Sequence, residues 1–246
     1  MLDNPRYKEQ TVPITLFGDG VQYTRGGNSL HVLCWSSMLS KGWSWRNVYL
    51  LATMPKLSCT SIERHGIDSL LEIWKWIKHG LDALVSGFHP ATDAFGLPWA
   101  ANTWEAHLAG RPICNGEYRA VVWGIACDLD YAANAYGARH FNSAMPCHHC
   151  KATRDCSPTN VRDFSATAGW RTTLRCPEEK AVSDHPIWNI RGVSAHQFQG
   201  DWMHTFDLGL LLHLHASTIA DICEVSFSQN KSTIKNPGRQ TRERAR

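Results

Sequence analysis

Over the first fifty-odd positions of the chain, apolar residues fall in short runs separated by turn residues. "TVPITLFGDG" (11–20), "NSLHVLCWSS" (28–37) and "WRNVYLLATM" (45–54) are each of strand length and rich in β-branched and aromatic side chains. Gly-Asp-Gly closes the first run, and Gly-Gly-Asn opens the second. This pattern predicts three consecutive strands. The period then changes. Ile67, Leu70, Leu71, Trp74, Ile77, Leu81, Leu84 and Val85 recur at helical spacing within "TSIERHGIDSLLEIWKWIKHGLDALVSG". An amphipathic helix is expected there, with Thr60 and Glu63 as a capping-box candidate and Gly87 as its stop. Trp74 falls on the apolar stripe and Trp76 falls off it. Residues 88–118 are rich in Pro, Gly and Asn and read as an irregular connection with a short helix around Trp104. "YRAVVWGIAC" (118–127) is nearly continuously apolar, as a central strand should be. Asp128 follows it, and "LDYAANAYG" (129–137) reads as a helix.

From there to 186 the chain is polar and loop-like, and it carries Cys147, Cys150, Cys156 and Cys176. "DWMHTFDLGLLLHLHASTIADIC" (201–223) predicts a second long helix, with His213 and His215 as partly buried packing residues. Disorder is expected from about Ser226. The order strand, strand, strand, helix, strand, helix predicts an α/β fold. Its three-strand meander, helix and fourth strand are the start of a ribonuclease H-like core, incomplete in this chain, followed by a partly helical insertion that contains Cys and His. The expected organisation is a lead-in over 1–11, a partial core over 12–141, the insertion over 142–225, and a basic tail over 226–246.

Composition sharpens this picture in three places. Nine cysteines in 246 residues, an odd number in a long chain, argue against a disulfide scaffold and for an intracellular, reducing setting, where a CxxC binds metal or does redox chemistry. The longest apolar runs are far short of the ~20 residues that a membrane span needs, so no membrane partner is expected. The net charge of +3 is concentrated at the end, since Lys231 to Arg246 hold six Lys/Arg against one Glu. The body is therefore slightly acidic, and its charge alone makes no case for nucleic acid.

In a fold of this kind the ends of the first and fourth strands are neighbours, and they carry Asp19 and Asp128, with Asp130 as a rival for the second place. Hard divalent ions such as Mg²⁺ take carboxylate oxygens, and phosphodiester cleavage needs those carboxylates held on rigid strand ends. The alternatives are structural: Asp-Gly shapes a hairpin turn, and an Asp after a strand caps the next helix. In "AMPCHHCKATRDC", Cys147 and Cys150 form half of a possible Zn²⁺ site, with Cys156, Cys176, His148, His149 and His204 as candidate partners. A redox pair, whose thiol pKa the intervening histidines would lower, and an inert loop are the rivals. Asp201 and His204 are three apart, so the carboxylate can orient the imidazole if the histidine ligates metal.

The ordered set "LFGDG", "IACDLDYAANAYG", "CHHC" and "DWMHTFDLG" resembles the CACTA-type cut-and-paste DNA transposases, relatives of the recombination-activating recombinases. The similarity is greatest to the transposase-like genes abundant in dinoflagellates, and it spans roughly residues 12–222. The resemblance implies a ribonuclease H-like core with an Asp-Asp-Glu metal triad, in which Asp19 and Asp128 match the first two acids. It also implies Mg²⁺-dependent DNA strand cleavage and transfer, a zinc half-site at Cys147 and Cys150, and a "DWMH" helix that presents His204. DNA, a second copy of the chain and a nuclear location follow from it. The third acid has no convincing counterpart, because Glu224 stands too close to the "DWMH" helix. The expectation is a truncated, transposase-derived protein that is inactive alone, since two acids without the third bind metal weakly. The alternative is a non-catalytic, zinc-stabilised DNA- or protein-interaction module.

Overall fold

One strand organises the sheet. In the computed structural model, which describes residues 6–61, 67–140, 142–155, 157–176, 183–200, 211 and 214–224, β1 (Thr11–Gln22) has a neighbour on each side. On one side it pairs antiparallel with β2 (Ser29–Ser37), which pairs antiparallel with β3 (Val48–Pro55). On the other side it pairs parallel with β4 (Arg119–Cys127), and β4 pairs parallel with a short β5 (Phe198–Gly200). The result is a mixed α/β fold with a five-stranded sheet in the order β3-β2-β1-β4-β5. All four strands expected from the sequence pattern are present. The fifth was not expected: three residues within a long irregular segment give no periodicity to read, and β5 exists through its pairing with Ile125–Cys127.

A parallel neighbour demands a crossover, and α1 (Ser69–Ser86) supplies it between β3 and β4. Its N-cap is Asp68, whose Oδ1 accepts from the backbone N–H of Leu70 and Leu71 at 2.9 and 3.1 Å. Thr60 does not cap it. Its hydroxyl lies 2.7 Å from that of Ser69, which fastens the approaching chain to the first turn, while Glu63 lies outside the described residues. Gly87 ends the helix in the left-handed region at φ 79°, as the sequence predicts. Trp74, Leu81 and Val85 are buried against the sheet, whereas Trp76 is half exposed and packs on Phe95 and Trp99 of the following connection. The short helix at Trp104 is α2 (Trp104–Leu108).

The second crossover begins with α3 (Leu129–Tyr136), capped by Asp128 and stopped by Gly137 at φ 60°. It buries Tyr131, Ala132, Ala135 and Tyr136 against the same face of the sheet that α1 covers. Among the described residues of 138–197 there is no regular helix or strand apart from short 3₁₀ turns. They are held to the core by Ile187 and Trp188, whose indole N–H donates to the carbonyl of Tyr136 at 2.8 Å. The core therefore lies on one face of the sheet. On the other, Phe17, Val21 and Trp123 are exposed.

From Asp201 the chain forms a second unit, of which 211 and 214–224 are described. Residues 214–224 are helical, in line with the sequence pattern, but His215 is exposed rather than packed, and His213 lies outside the described residues. No helix among the described residues is long and apolar enough to cross a membrane.

Two glycines make the packing testable. A Cβ at Gly18 would stand 2.0 Å from the Tyr136 hydroxyl and 2.5 Å from the Tyr131 ring, both rigid and buried. Gly18→Ala should therefore destabilise the protein by about 1–3 kcal/mol, the usual cost of overpacking. Gly80 lies inside α1 with nothing within 4 Å of its would-be Cβ. Gly80→Ala should stabilise by roughly 0.5–1 kcal/mol through helix propensity. Urea unfolding of the two variants should move in opposite directions.

Candidate functional site

Asp19 and Asp128 meet because of strand register. Phe17 stands opposite Ala126 in the parallel pair, so continuing by two residues brings Asp19 level with Asp128 just where β4 ends. β1 itself runs on to Gln22, supported there by β2 alone. Each carboxylate uses one oxygen locally. Asp19 Oδ1 accepts from the backbone N–H of Gly20 at 2.6 Å. Asp128 Oδ1 accepts from the backbone N–H of Tyr131 at the start of α3. No hydrogen bond to either Oδ2 is found among the described residues, so each acid keeps an oxygen for another partner. Asp128 thus has the structural role of a helix cap and remains available as a ligand. Asp130 is turned away: its side chain is 70% exposed and faces His140 at 3.6 Å.

A polar cluster that pattern reading does not reveal sits beside this pair. Among the described residues, the Tyr131 and Tyr136 hydroxyls and His31 Nδ1 are buried without a hydrogen-bond partner. The rings touch in series, His31 on Tyr131 at 5.5 Å and Tyr131 on Tyr136 at 5.3 Å between centroids. Burial pushes both phenols well above their ordinary range, and the nearby Asp19 carboxylate pushes the same way. Both phenols therefore stay protonated and uncharged. Burial, and then the charge of Lys56, push the His31 imidazole down, so it is neutral as well. One sequence signal does point here. Glycines flank Asp19 on both sides, and in a strand interior a glycine marks the close approach of something else. At Gly18 that is the tyrosine pair, and at Gly20 it is Lys56.

The residues present fit a hard cation in part. Two carboxylates are held at adjacent strand ends, but among the described residues no group of three or more His, Cys, Asp or Glu is placed to hold a metal ion.

The CxxC segment lies elsewhere. Cys150 is buried and Cys147 half-buried, and the two thiols are hydrogen-bonded to each other. His149 donates its backbone N–H to Cys147 Sγ at 3.4 Å. Burial, and then the neighbouring Cys147, push the Cys150 thiol up. The intervening histidines supply no charge to lower it. Burial carries His148 down to about 4, its ring packing on Phe198 of β5 at 4.8 Å, and burial lowers His149 too. This removes the main support for a redox pair. His149 lies 5.9 Å from the His196 ring, and Cys176 is exposed. Cys156 and His204 lie outside the described residues.

Two apolar cavities sit away from the acid pair. One, of about 320 Å³, is lined by Val12, Trp35, Leu81 and Tyr118. The other, of about 560 Å³, is lined by Pro13, Met38, Leu39 and Trp123 on the open face of the sheet. Comparison with known protein families, with curated proteins and with solved structures finds no match.

Two measurements follow from this geometry. Asp128→Ala should cost about 1 kcal/mol through loss of the cap, and Asp128→Asn should cost less because its amide oxygen still accepts. His185, buried beside α1, has its pKa lowered by burial to about 4, and its Nδ1 accepts from the backbone N–H of Ile187 at 3.2 Å. A histidine that resists protonation when folded contributes stability in full above its unfolded value, ~6.5, and loses it as pH falls from there towards the folded value. The melting temperature should therefore fall between pH 7 and pH 5, and His185→Asn should flatten that fall.

Proposed function

We propose that this chain carries a ribonuclease H-like, transposase-derived core whose Asp19 and Asp128 hold a divalent cation against a DNA phosphodiester. One observation carries the reading: the parallel register of β1 and β4 brings two carboxylates level at adjacent strand ends, each with an oxygen left unbonded among the described residues. The order β3-β2-β1-β4, antiparallel across the first three and parallel between β1 and β4, supports the same reading, because a three-strand meander with the fourth strand beside the first is the start expected of such a core.

Asp19 and Asp128 are the residues that would hold Mg²⁺. A divalent ion bound there polarises a phosphate oxygen and makes a bound water more acidic. The protein's own contribution is placement. β1 fixes Asp19 through pairing with β2, and Asp128 is fixed by its bond to the first turn of α3. The neutral tyrosines and His31 add no charge that competes for the metal. With two carboxylates rather than three among the described residues, the reading predicts metal binding without efficient cleavage. DNA as partner, and with it a nuclear site of action, belongs to this same proposal.

A second reading, a zinc-stabilised interaction module, is favoured by the contact between the Cys147 and Cys150 thiols. Two thiols supply half of a tetrahedral shell, so the remaining ligands would have to come from Cys156, Cys176, His149 or His204.

The two readings separate experimentally. Mn²⁺ titration followed by paramagnetic resonance should show one weak site that Asp19→Asn and Asp128→Asn each remove with little change in melting temperature. Equal binding in the variants would overturn the acid-pair reading. Metal analysis of the purified protein should give one zinc per chain, absent from Cys147→Ser/Cys150→Ser, if the thiols close a site. Zinc absent from both would remove the second reading.

A further inference from the structure

The core is left unfilled at one end of the sheet. Val12, Ile14 and Leu16 of β1 share the face that α1 covers, and while Ile14 and Leu16 are buried, Val12 is only half-buried. Val12 stands opposite Ala120 of β4, and Leu16 opposite Trp35 of β2. Ala120, Trp35 and Leu84 in the last turn of α1 are half-buried too. These side chains, with Leu81, line the cavity of about 320 Å³ between the sheet and the C-terminal half of α1. Trp35 is stacked on Tyr49 at 4.9 Å between centroids, which makes that part of the wall rigid. The turn Ile113–Gly116 carries Ile113 and Cys114 along another side. It holds Cys114 and Asn115 in the left-handed region at φ 51° and 57°. Such backbone is costly for a residue with a side chain and persists only where the surroundings impose it.

The walls decide what can enter. Apolar walls hold water poorly, and an empty space of this size is rare in a protein interior. The sheet side offers nothing to a peptide main chain, because the N–H and C=O groups of paired strands point along the sheet to their neighbours and not out of its face. Arg119 is the one charged residue among those lining the cavity. Its side chain runs beside Gly87 at the end of α1, where the partial negative charge of the helix C-terminus answers it. No charge is therefore demanded of a guest. Leu51 on the edge strand and Tyr118 before β4 are 38% and 49% exposed, so the cavity opens to solvent between exposed residues rather than being sealed. An apolar cavity of about 150 Å³ holds benzene, and about twice that space takes a guest of roughly ten to twelve heavy atoms.

We propose that this cavity is a binding site for an uncharged, apolar small molecule of about ten carbon atoms, held between Trp35 and α1. The site lies at the start of β1, whereas Asp19 lies towards its end, and it stands independently of the acid-pair reading.

The test titrates naphthalene into the full chain carrying carbon-13 in its Val, Leu and Ile methyl groups. Saturable shifts should appear at Val12, Leu51, Leu81 and Leu84, and not at Val21, which is exposed on the other face of the sheet. Ala120→Leu puts a branched alkyl group into the cavity and should weaken binding about tenfold or more. Leu51→Trp narrows the opening from the exposed edge strand, away from the core, and should weaken binding as well. If Ala120→Leu does not fold, Leu51→Trp decides. Absence of saturable shifts, shifts at Val21 that match those at Val12 and Leu84, or wild-type affinity in either folded variant would each overturn the proposal.

Discussion

The parallel pairing of β1 with β4 is the constraint on which the rest of the structure depends. Parallel neighbours cannot be joined by a hairpin, so the chain must leave the edge strand β3, cross the sheet as α1, and return on the far side of β1. That path decides which face becomes the core, because α1 buries Trp74, Leu81 and Val85 as it crosses. It also decides what lies at the end of the sheet. Asp19 and Asp128 are 109 positions apart in sequence and become neighbours only through this pairing.

The environment of the acid pair is built from absences of side chain. Gly18 and Gly20 leave two gaps in β1, one filled by the tyrosines of α3 and the other by Lys56. The same helix that brings Tyr131 and Tyr136 into the core is started by Asp128, so the cap and the packing position each other. Burying phenol and imidazole groups without partners is unfavourable, and a cluster of such groups beside half-buried carboxylates is more often found where chemistry or binding needs them.

Much of the fold was legible in the sequence. Alternating and continuous apolar runs marked β1 to β4, and the helical period and Gly87 marked α1 and its end. The start of α1 was misplaced because Thr60 and Asp68 are both good caps, and only Asp68 Oδ1 reaches the first free N–H groups. Asp19 and Asp128 were legible as strand-end acids. Lys56 and His31 were not, since a lysine after a strand and a histidine within one carry no pattern until register brings them together. The CxxC was legible as a motif, but its electrostatics were not. Of the histidines between the cysteines, His148 is buried and His149 half-buried, and burial lowers the pKa of both, which sequence alone does not disclose.

β5 has a consequence for the order in which the protein assembles. Phe198–Gly200 pairs with Ile125–Cys127 across about seventy intervening residues, and the entropy of closing such a loop rises with the logarithm of its length. Three residues of ladder return little against that cost, so β5 is placed to join last, after β1 to β4 and both crossover helices have formed a template. His148, which packs on Phe198, and Trp188, which is tied to Tyr136, then act as local clasps that shorten the effective loop. The cysteine-bearing segment then closes onto a sheet whose other four strands already offer it an edge.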